Sequence, residues 1–390
     1  MDKKTILKIP LILGPLLVVY AYNDIITSGQ AGIREADRSS VYYLLIAIIL
    51  LLLGYNFTHH YSSFNPTRQI RKTTIAILCW VTIVDIYWRV DFATLSSQLF
   101  LALWWIVTIR FAYSHMTNNM EHKQQIMLIY IIAFFTYALG NMYARAQIIT
   151  NLEHEFAITY YVYYMLIFIP FILLVRTTWR RYVMLLLATY VILSSFKRGA
   201  LVCFPVMTMV YLFFQRKQGS RTWFPINLLL FALVLFISLQ YINVRSGGFL
   251  SERFNEENLA RGSGRTEYRQ LAIAVITQRQ FVPLLIGTGT GSSIKLIGTG
   301  IHNEWIEFLF TYGVIGLLLH IYFLYSLFSI CHYYVRLRAP YAPHMCMLAS
   351  YVFVCGLFSG FYFMHSTFYF FSFMGIASAL NDNYLKGNQS

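Results

Sequence analysis

The amino-acid sequence predicts an all-α polytopic membrane protein: about twelve transmembrane helices and one large external loop. Three observations carry that reading. Hydrophobic residues make up 58% of the 390 and charged residues only 12%, whereas a soluble domain is about a quarter charged. Mean hydropathy is +0.56. Long apolar runs recur along the whole chain, and no alternation of strands with helices survives between them. This length suits one helical bundle rather than several soluble domains.

The spans fall at roughly 6–22, 41–57, 73–91, 95–113, 125–143, 157–175, 182–196, 199–214, 223–243, 304–330, 344–363 and 366–381, each near the length that crosses about 30 Å of hydrocarbon. The first follows Lys3, Lys4 and Lys8 as a signal peptide would, but no small-x-small cleavage site follows it, so it is expected to be retained. Residues 1–243 thus hold transmembrane helices one to nine, 244–303 an external loop with an amphipathic helix, and 304–390 the last three spans and the C-terminus.

Basic residues give the orientation. The N-terminus, alternate connections and Lys386 carry 17: Lys3, Lys4, Lys8, Arg68, Arg71, Lys72, Arg110, Lys123, Arg176, Arg180, Arg181, Arg216, Lys217, Arg221, Arg336, Arg338 and Lys386. The other short connections carry six: Arg34, Arg38, Arg89, Arg145, Lys197 and Arg198. Both termini are therefore expected in the cytoplasm and the long loop outside. Long loops are exempt from the rule, which accommodates the loop's seven basic residues. The formal charge of +14 is spread over short loops rather than gathered in a patch, which argues against nucleic acid as a partner. Cys79, Cys203, Cys331, Cys346 and Cys355 lie in or beside apolar segments without metal-type spacing and are expected to be free thiols.

Arg245 to Gly316 is the one long polar interval, and it collects Arg245, Arg253, Arg261, Arg265, Arg269 and Arg279. Within it Tyr268, Leu271, Ala272, Val275 and Ile276 recur at helical spacing. Ser263-Gly264 would start that helix and Pro283 follows its end. It is expected on the membrane surface or across the mouth of the bundle.

Arg198 is constrained by length. Tyr182 to Phe214 is apolar except for Lys197-Arg198, and two full crossings need about 20 residues each, so the turn between these spans must sink below the outer surface. A guanidinium there needs an anionic partner; the alternative is a pair of basic side chains snorkelling from a short hairpin. Arg265 falls in the first turn of the loop helix, where backbone N–H groups and a planar fork suit phosphate oxygens. Arg261 and Arg269, four residues to either side, either extend that basic face or lie solvated near lipid headgroups. His302 alone of ten histidines lies in the external loop, at the entry of the next helix, where the dipole favours the neutral imidazole that can take a proton from a hydroxyl. Asn303 reads as a cap for that helix and Glu304 as a complement to its dipole.

Gly287-Thr-Gly-Thr-Gly291-Ser-Ser lacks the lysine spacing and the surrounding βαβ unit of a nucleotide loop and reads as a flexible connection beside the site. Asp85 and Arg89, four apart near the outer end of the third span, read as an ion pair that eases insertion, with a sugar hydroxyl contact as the alternative. Arg145 and His365 project from external span ends as further candidates. Glu252, Glu256, Glu257 and Glu267 are scattered among arginines and form no divalent-cation cage, so neither metal nor cofactor is expected.

Three blocks resemble the O-antigen ligase and polymerase superfamily: Ser194-Ser-Phe-Lys-Arg198-Gly-Ala-Leu; Gly264-Arg265-Thr-Glu-Tyr-Arg with the later Pro283-Leu-Leu-Ile-Gly-Thr-Gly; and His302-Asn-Glu-Trp-Ile-Glu-Phe-Leu-Phe-Thr-Tyr-Gly313-Val-Ile-Gly316. They occur in the family's order around its large external loop. The resemblance implies a GT-C-type bundle and a metal-independent glycosyltransferase. Its partners would be glycans on undecaprenyl diphosphate as donor and acceptor, membrane lipids and a chain-length regulator protein, at the periplasmic face of the bacterial inner membrane. It implies that Arg198 and Arg265 hold the donor diphosphate and that His302 activates the acceptor hydroxyl. Phe196-Lys197 stands where Thr-x-Ser-Arg-like sequences are common, which adds Lys197 as a second phosphate contact. Arg261, Arg269, Arg89, Arg145, Asn303 and Glu304 complete the expected substrate-binding set. The expected activity is polymerisation of lipid-linked repeat units of O-antigen, a surface polysaccharide of lipopolysaccharide biosynthesis. The alternatives are ligation to lipid A core and lipid-linked oligosaccharide transport.

Overall fold

The structure is a computed structural model that describes residues 16, 44, 46–54, 67–151, 162–175, 177–216, 224–255, 265–360 and 367–387. The first expected span apart from residue 16, the two ends of the second, Arg261, the Ser263-Gly264 start signal and His365 lie outside the described residues. Among the described residues the regular structure is all helical. After a helical stretch at 46–54 come α1 (Arg68–Tyr87), α2 (Phe92–Asn118), α3 (Lys123–Asn151), α4 (Val162–Ile172), α5 (Thr178–Ser194), α6 (Arg198–Arg216) and α7 (Phe224–Arg245). The loop region carries α8 (Phe249–Arg253), α9 (Arg265–Thr277), α10 (Phe281–Ile286) and α11 (Ser292–Ile297). The chain closes with α12 (Glu304–Arg336), α13 (Ala342–Phe358) and α14 (Thr367–Gly387).

Among the described residues four stretches are long and apolar enough to cross a membrane: Ile126–Tyr143, Arg198–Arg216, Leu228–Arg245 and Glu304–Arg336; Val162–Ile172 and Ala342–Phe358 are shorter apolar helices. Twelve crossings were expected, against these four among the described residues. Burial supports a membrane setting: Leu229, Leu233, Phe236 and Ile237 of α7 are exposed on an apolar face that water would not tolerate.

Inside the bundle α14 lies along α2, α13 along α6, and α12 runs between α13 and α1. The short α4 is buried throughout and is wrapped by α3, α6, α13 and α14. Aromatic rings fill this centre, with Tyr137 stacked on Tyr164 at 4.2 Å and Phe171 on Phe373 at 4.6 Å. All five cysteines are free, and all but Cys79 are buried.

Helix α12 differs from the expected continuous span. Gly313, with φ 69° and ψ −169°, breaks it about two turns in, a conformation open essentially to glycine alone. The break releases three carbonyls from the helix ladder. Phe310 O accepts from Arg279 Nη1 at 2.6 Å, Thr311 O from the N–H groups of Thr288 and Gly289 at 3.0 and 2.9 Å, and Tyr312 O from Trp80 Nε1 at 2.9 Å. The glycine-rich stretch 287–291 is therefore a packed clasp rather than a flexible connection. Its Thr290 donates its N–H to Asp85 Oδ1 at 2.8 Å and its hydroxyl to Oδ2 at 2.7 Å, and Trp88 Nε1 holds Gly287 O at 2.9 Å.

Asp85 consequently serves the clasp rather than an ion pair along a helix. Helix α1 ends at Tyr87, and Arg89 turns away in the left-handed region at φ 51°, so the expected four-residue spacing on one helix face is lost.

Candidate functional site

Three sequence-distant segments meet at the C-terminal end of α13. The first is the turn between α5 and α6. Its Phe196 and Lys197 are only 2% and 4% exposed, so the turn is sunk in the protein and Lys197 is not a side chain stretched along the surface. Ser195 Oγ donates to Ile192 O at 2.7 Å and accepts from the Lys197 N–H at 3.2 Å, which closes the turn. Lys197 O accepts from the N–H groups of Ala200 and Leu201 and starts α6. Phe196 sits at φ 51°, a strained position for a bulky residue, held by Phe249 on one side and the Arg145 guanidinium 5.7 Å above its ring. A Cβ on Gly199 would lie 2.6 Å from the Tyr163 hydroxyl and 2.9 Å from Phe358 Cβ, so glycine is what lets α6 begin against α4 and α13. Arg198, half-buried, is thereby placed beside Phe358.

Arg145 joins this turn from the end of α3. Its Nε is buried without a hydrogen-bond partner, and burial pushes the guanidinium below its ordinary pKa, partly offset by Tyr190.

The second segment is α9, described from Arg265 to Thr277. Ala272 and Ile276 pack on Ile297, Ile301 and Phe310, and positions 265, 269, 272 and 276 share that stripe by helical spacing. Tyr268 and Leu271, expected on the apolar face, are exposed. Arg269 spans the gap from this stripe to α13: its Nη2 donates to His302 O at 3.3 Å and to Leu357 O at 3.1 Å. It works as a strap on the backbone that presents His302.

The third segment is the entry of α12. His302 lies at φ 54°, half-buried, immediately before the cap. Asn303 has both side-chain ends engaged: Oδ1 accepts from the Ile306 N–H at 3.0 Å and Nδ2 donates to Leu357 O at 3.2 Å. It caps α12 and pins it to α13. Glu304 is 4% exposed, deeper than a surface dipole complement, and its Oε2 would be 3.1 Å from a Cβ at Gly360. Lys197 and Glu304 are thus both buried, and the Glu304 Cβ lies 3.3 Å from where a Cβ on Gly356 of α13 would be.

Arg89 is exposed beside the 287–291 clasp, and its neighbours Trp88 and Val90 lie against Gly289. Arg279 holds the break in α12, lying 4.0 Å over the Phe310 ring, and burial lowers its pKa. The platform itself, Gly356 to Gly360 with the Leu357 carbonyl, went unread in the sequence. Its signal is the pair of glycines four apart in an otherwise bulky run, the spacing that admits close helix approach.

Residues 183–321 match the family described as O-antigen ligase. The match supports the O-antigen ligase and polymerase superfamily. No curated protein matches the chain. The matched region contains the α5–α6 turn, the loop helices and the first part of α12, so it takes in all three sequence blocks and leaves the α13 platform outside. Function of the O-antigen ligase or polymerase type in a multi-pass membrane protein agrees with these helices and this match.

Arg269 ties the His302 backbone to that of Leu357, so its removal is expected to disturb the placement of His302. Arg269→Ala is expected to lower kcat by up to about 10²-fold, the scale of a 1 Å misplacement, at little change in acceptor KM. Initial rates at varied acceptor concentration separate this from direct substrate contact, which would raise KM.

Proposed function

We propose that this chain is a bacterial inner-membrane polymerase of surface polysaccharide, joining undecaprenyl-diphosphate-linked repeat units on the periplasmic side. The observation that supports it best is the meeting of two helix N-termini, at Arg198 and Glu304, on the end of α13. Helix N-termini favour anions, and Arg198, Lys197 and Arg145 add positive charge at the sunken turn. The buried, unpaired Nε of Arg145 is the kind of donor a diphosphate oxygen would satisfy.

In this reading His302 takes the proton of an acceptor sugar hydroxyl, whose oxygen attacks the anomeric carbon of the donor. The bond from that carbon to the diphosphate oxygen breaks, and its electron pair leaves with undecaprenyl diphosphate. Arg198 and Arg265, with Lys197, meet the growing negative charge in a poorly solvated cleft, where preorganised donors act most strongly. Arginines neutralise the diphosphate without a metal ion, and the lipid diphosphate bond is already activated, so no nucleotide is required. The left-handed backbone at both Phe196 and His302 fits strain held where geometry matters. A chain-length regulator is a further partner of this reading.

The printed description of the matched family favours one second reading, transfer to lipid A core by a ligase. The surface polysaccharide of a deletion strain separates the two. Single repeats on core support the polymerase, whereas unattached polymer and bare core support the ligase. Polymer made in detergent, where no two compartments exist, excludes a purely transport role.

A further inference from the structure

We propose that the end of the bundle away from the site holds an anionic phospholipid, with its phosphate on Arg216, Arg336 and Arg338 and an acyl chain in the groove behind them. A cavity of about 950 Å³ lies between the last turns of α6 and α12 and the first turns of α13. Phe213 and Phe328 line it, and Arg216, Arg336, Arg338 and His332 stand at its edge. Among the described residues that line it there is no carboxylate. Helix α6 runs its 19 residues from Arg198 at the site to Arg216 here, about 28 Å at 1.5 Å per residue, so this is a separate place. An apolar groove rimmed by arginines between membrane helices matches one chemistry, a phosphodiester headgroup on a hydrocarbon chain.

Arg338 supplies a second, independent argument. Helix α12 ends in a turn in which the Ala339 N–H bonds to Tyr334 O at 3.0 Å and the Arg338 N–H to Val335 O at 3.1 Å. Arg338 therefore occupies the left-handed position of that cap, at φ 52°, where glycine is favoured because it has no Cβ to clash. Placing an arginine there sacrifices local stability, and headgroup binding gives a reason to keep it.

The test is native mass spectrometry of the full chain in neutral detergent with equal phosphatidylglycerol and phosphatidylcholine. Preferential retention of one phosphatidylglycerol is expected. Arg338→Gly should weaken that retention about five-fold, the effect of one basic residue at a lipid surface, while raising the unfolding temperature. Arg336→Gln combined with it should weaken retention about 25-fold if the two act independently. Since Arg338→Gly relieves strain, its loss of lipid cannot be put down to misfolding. Equal retention of both lipids, unchanged retention in both variants, displacement by glycerol 3-phosphate without chains, or preferential retention of undecaprenyl phosphate would each overturn the proposal.

Discussion

Arg198→Ala lowers transfer by about 10²–10³-fold, the scale seen when one preorganised donor to a developing charge is removed. The argument rests on where the turn is anchored. Gly199 fixes the start of α6 against Tyr163 and Phe358, the Ser195 hydroxyl closes the turn, and Phe196 is wedged against Phe249. Arg198 is thus presented by a rigid frame rather than by a loop, and its planar fork suits two phosphate oxygens at once. Arg198→Lys keeps the charge but loses the fork, so it should recover only part of the activity. Because Arg198 is half-buried and outside the packed aromatic centre, both variants should fold, and unfolding temperatures alongside initial rates check that separation.

Gly313→Ala should have a large effect on folding. At φ 69° and ψ −169° a side chain is strained, at about 1–3 kcal/mol, and its Cβ would overlap the Leu285 carbonyl oxygen and come within 2.5 Å of the Gly287 N. Overpacking of a tight contact adds about 1–3 kcal/mol. The clasp cannot yield easily, because the Phe310, Thr311 and Tyr312 carbonyls are already bound by Arg279, by Thr288 and Gly289, and by Trp80. Against a typical stability of about 5–15 kcal/mol this is a large share. The measurement is monodisperse yield on size-exclusion chromatography after mild detergent extraction, where the variant should be depleted or aggregated and wild-type recovery would contradict the account.

The bundle was legible in the sequence because hydrocarbon demands long apolar helices, and that demand is local. The sunken turn at Lys197-Arg198 was legible for the same reason, since the span lengths left it nowhere else to go. The existence of helix α9 followed from the period of its apolar residues. What escaped was non-local. Asp85 binds Thr290, 205 positions away, and nothing in the four-residue spacing to Arg89 could announce that partner. Gly313 sits in an unbroken apolar run, so hydropathy reads through the break. Leu357 matters through its carbonyl oxygen, which carries no side-chain signature. Asn303 was legible as the cap of α12, but its bond to the Leu357 carbonyl and those of Arg269 to His302 and Leu357 join positions far apart in the chain.

The central claim is that imidazole at position 302 drives transfer from a diphosphate held by neighbouring cations. The most direct measurement follows release of undecaprenyl diphosphate by the purified chain and its His302→Gln variant, with donor retention scored on the same samples. Near-wild-type retention with release reduced by about 10²-fold or more is the predicted outcome, the scale of a lost general base. Release at the wild-type rate from His302→Gln would contradict it.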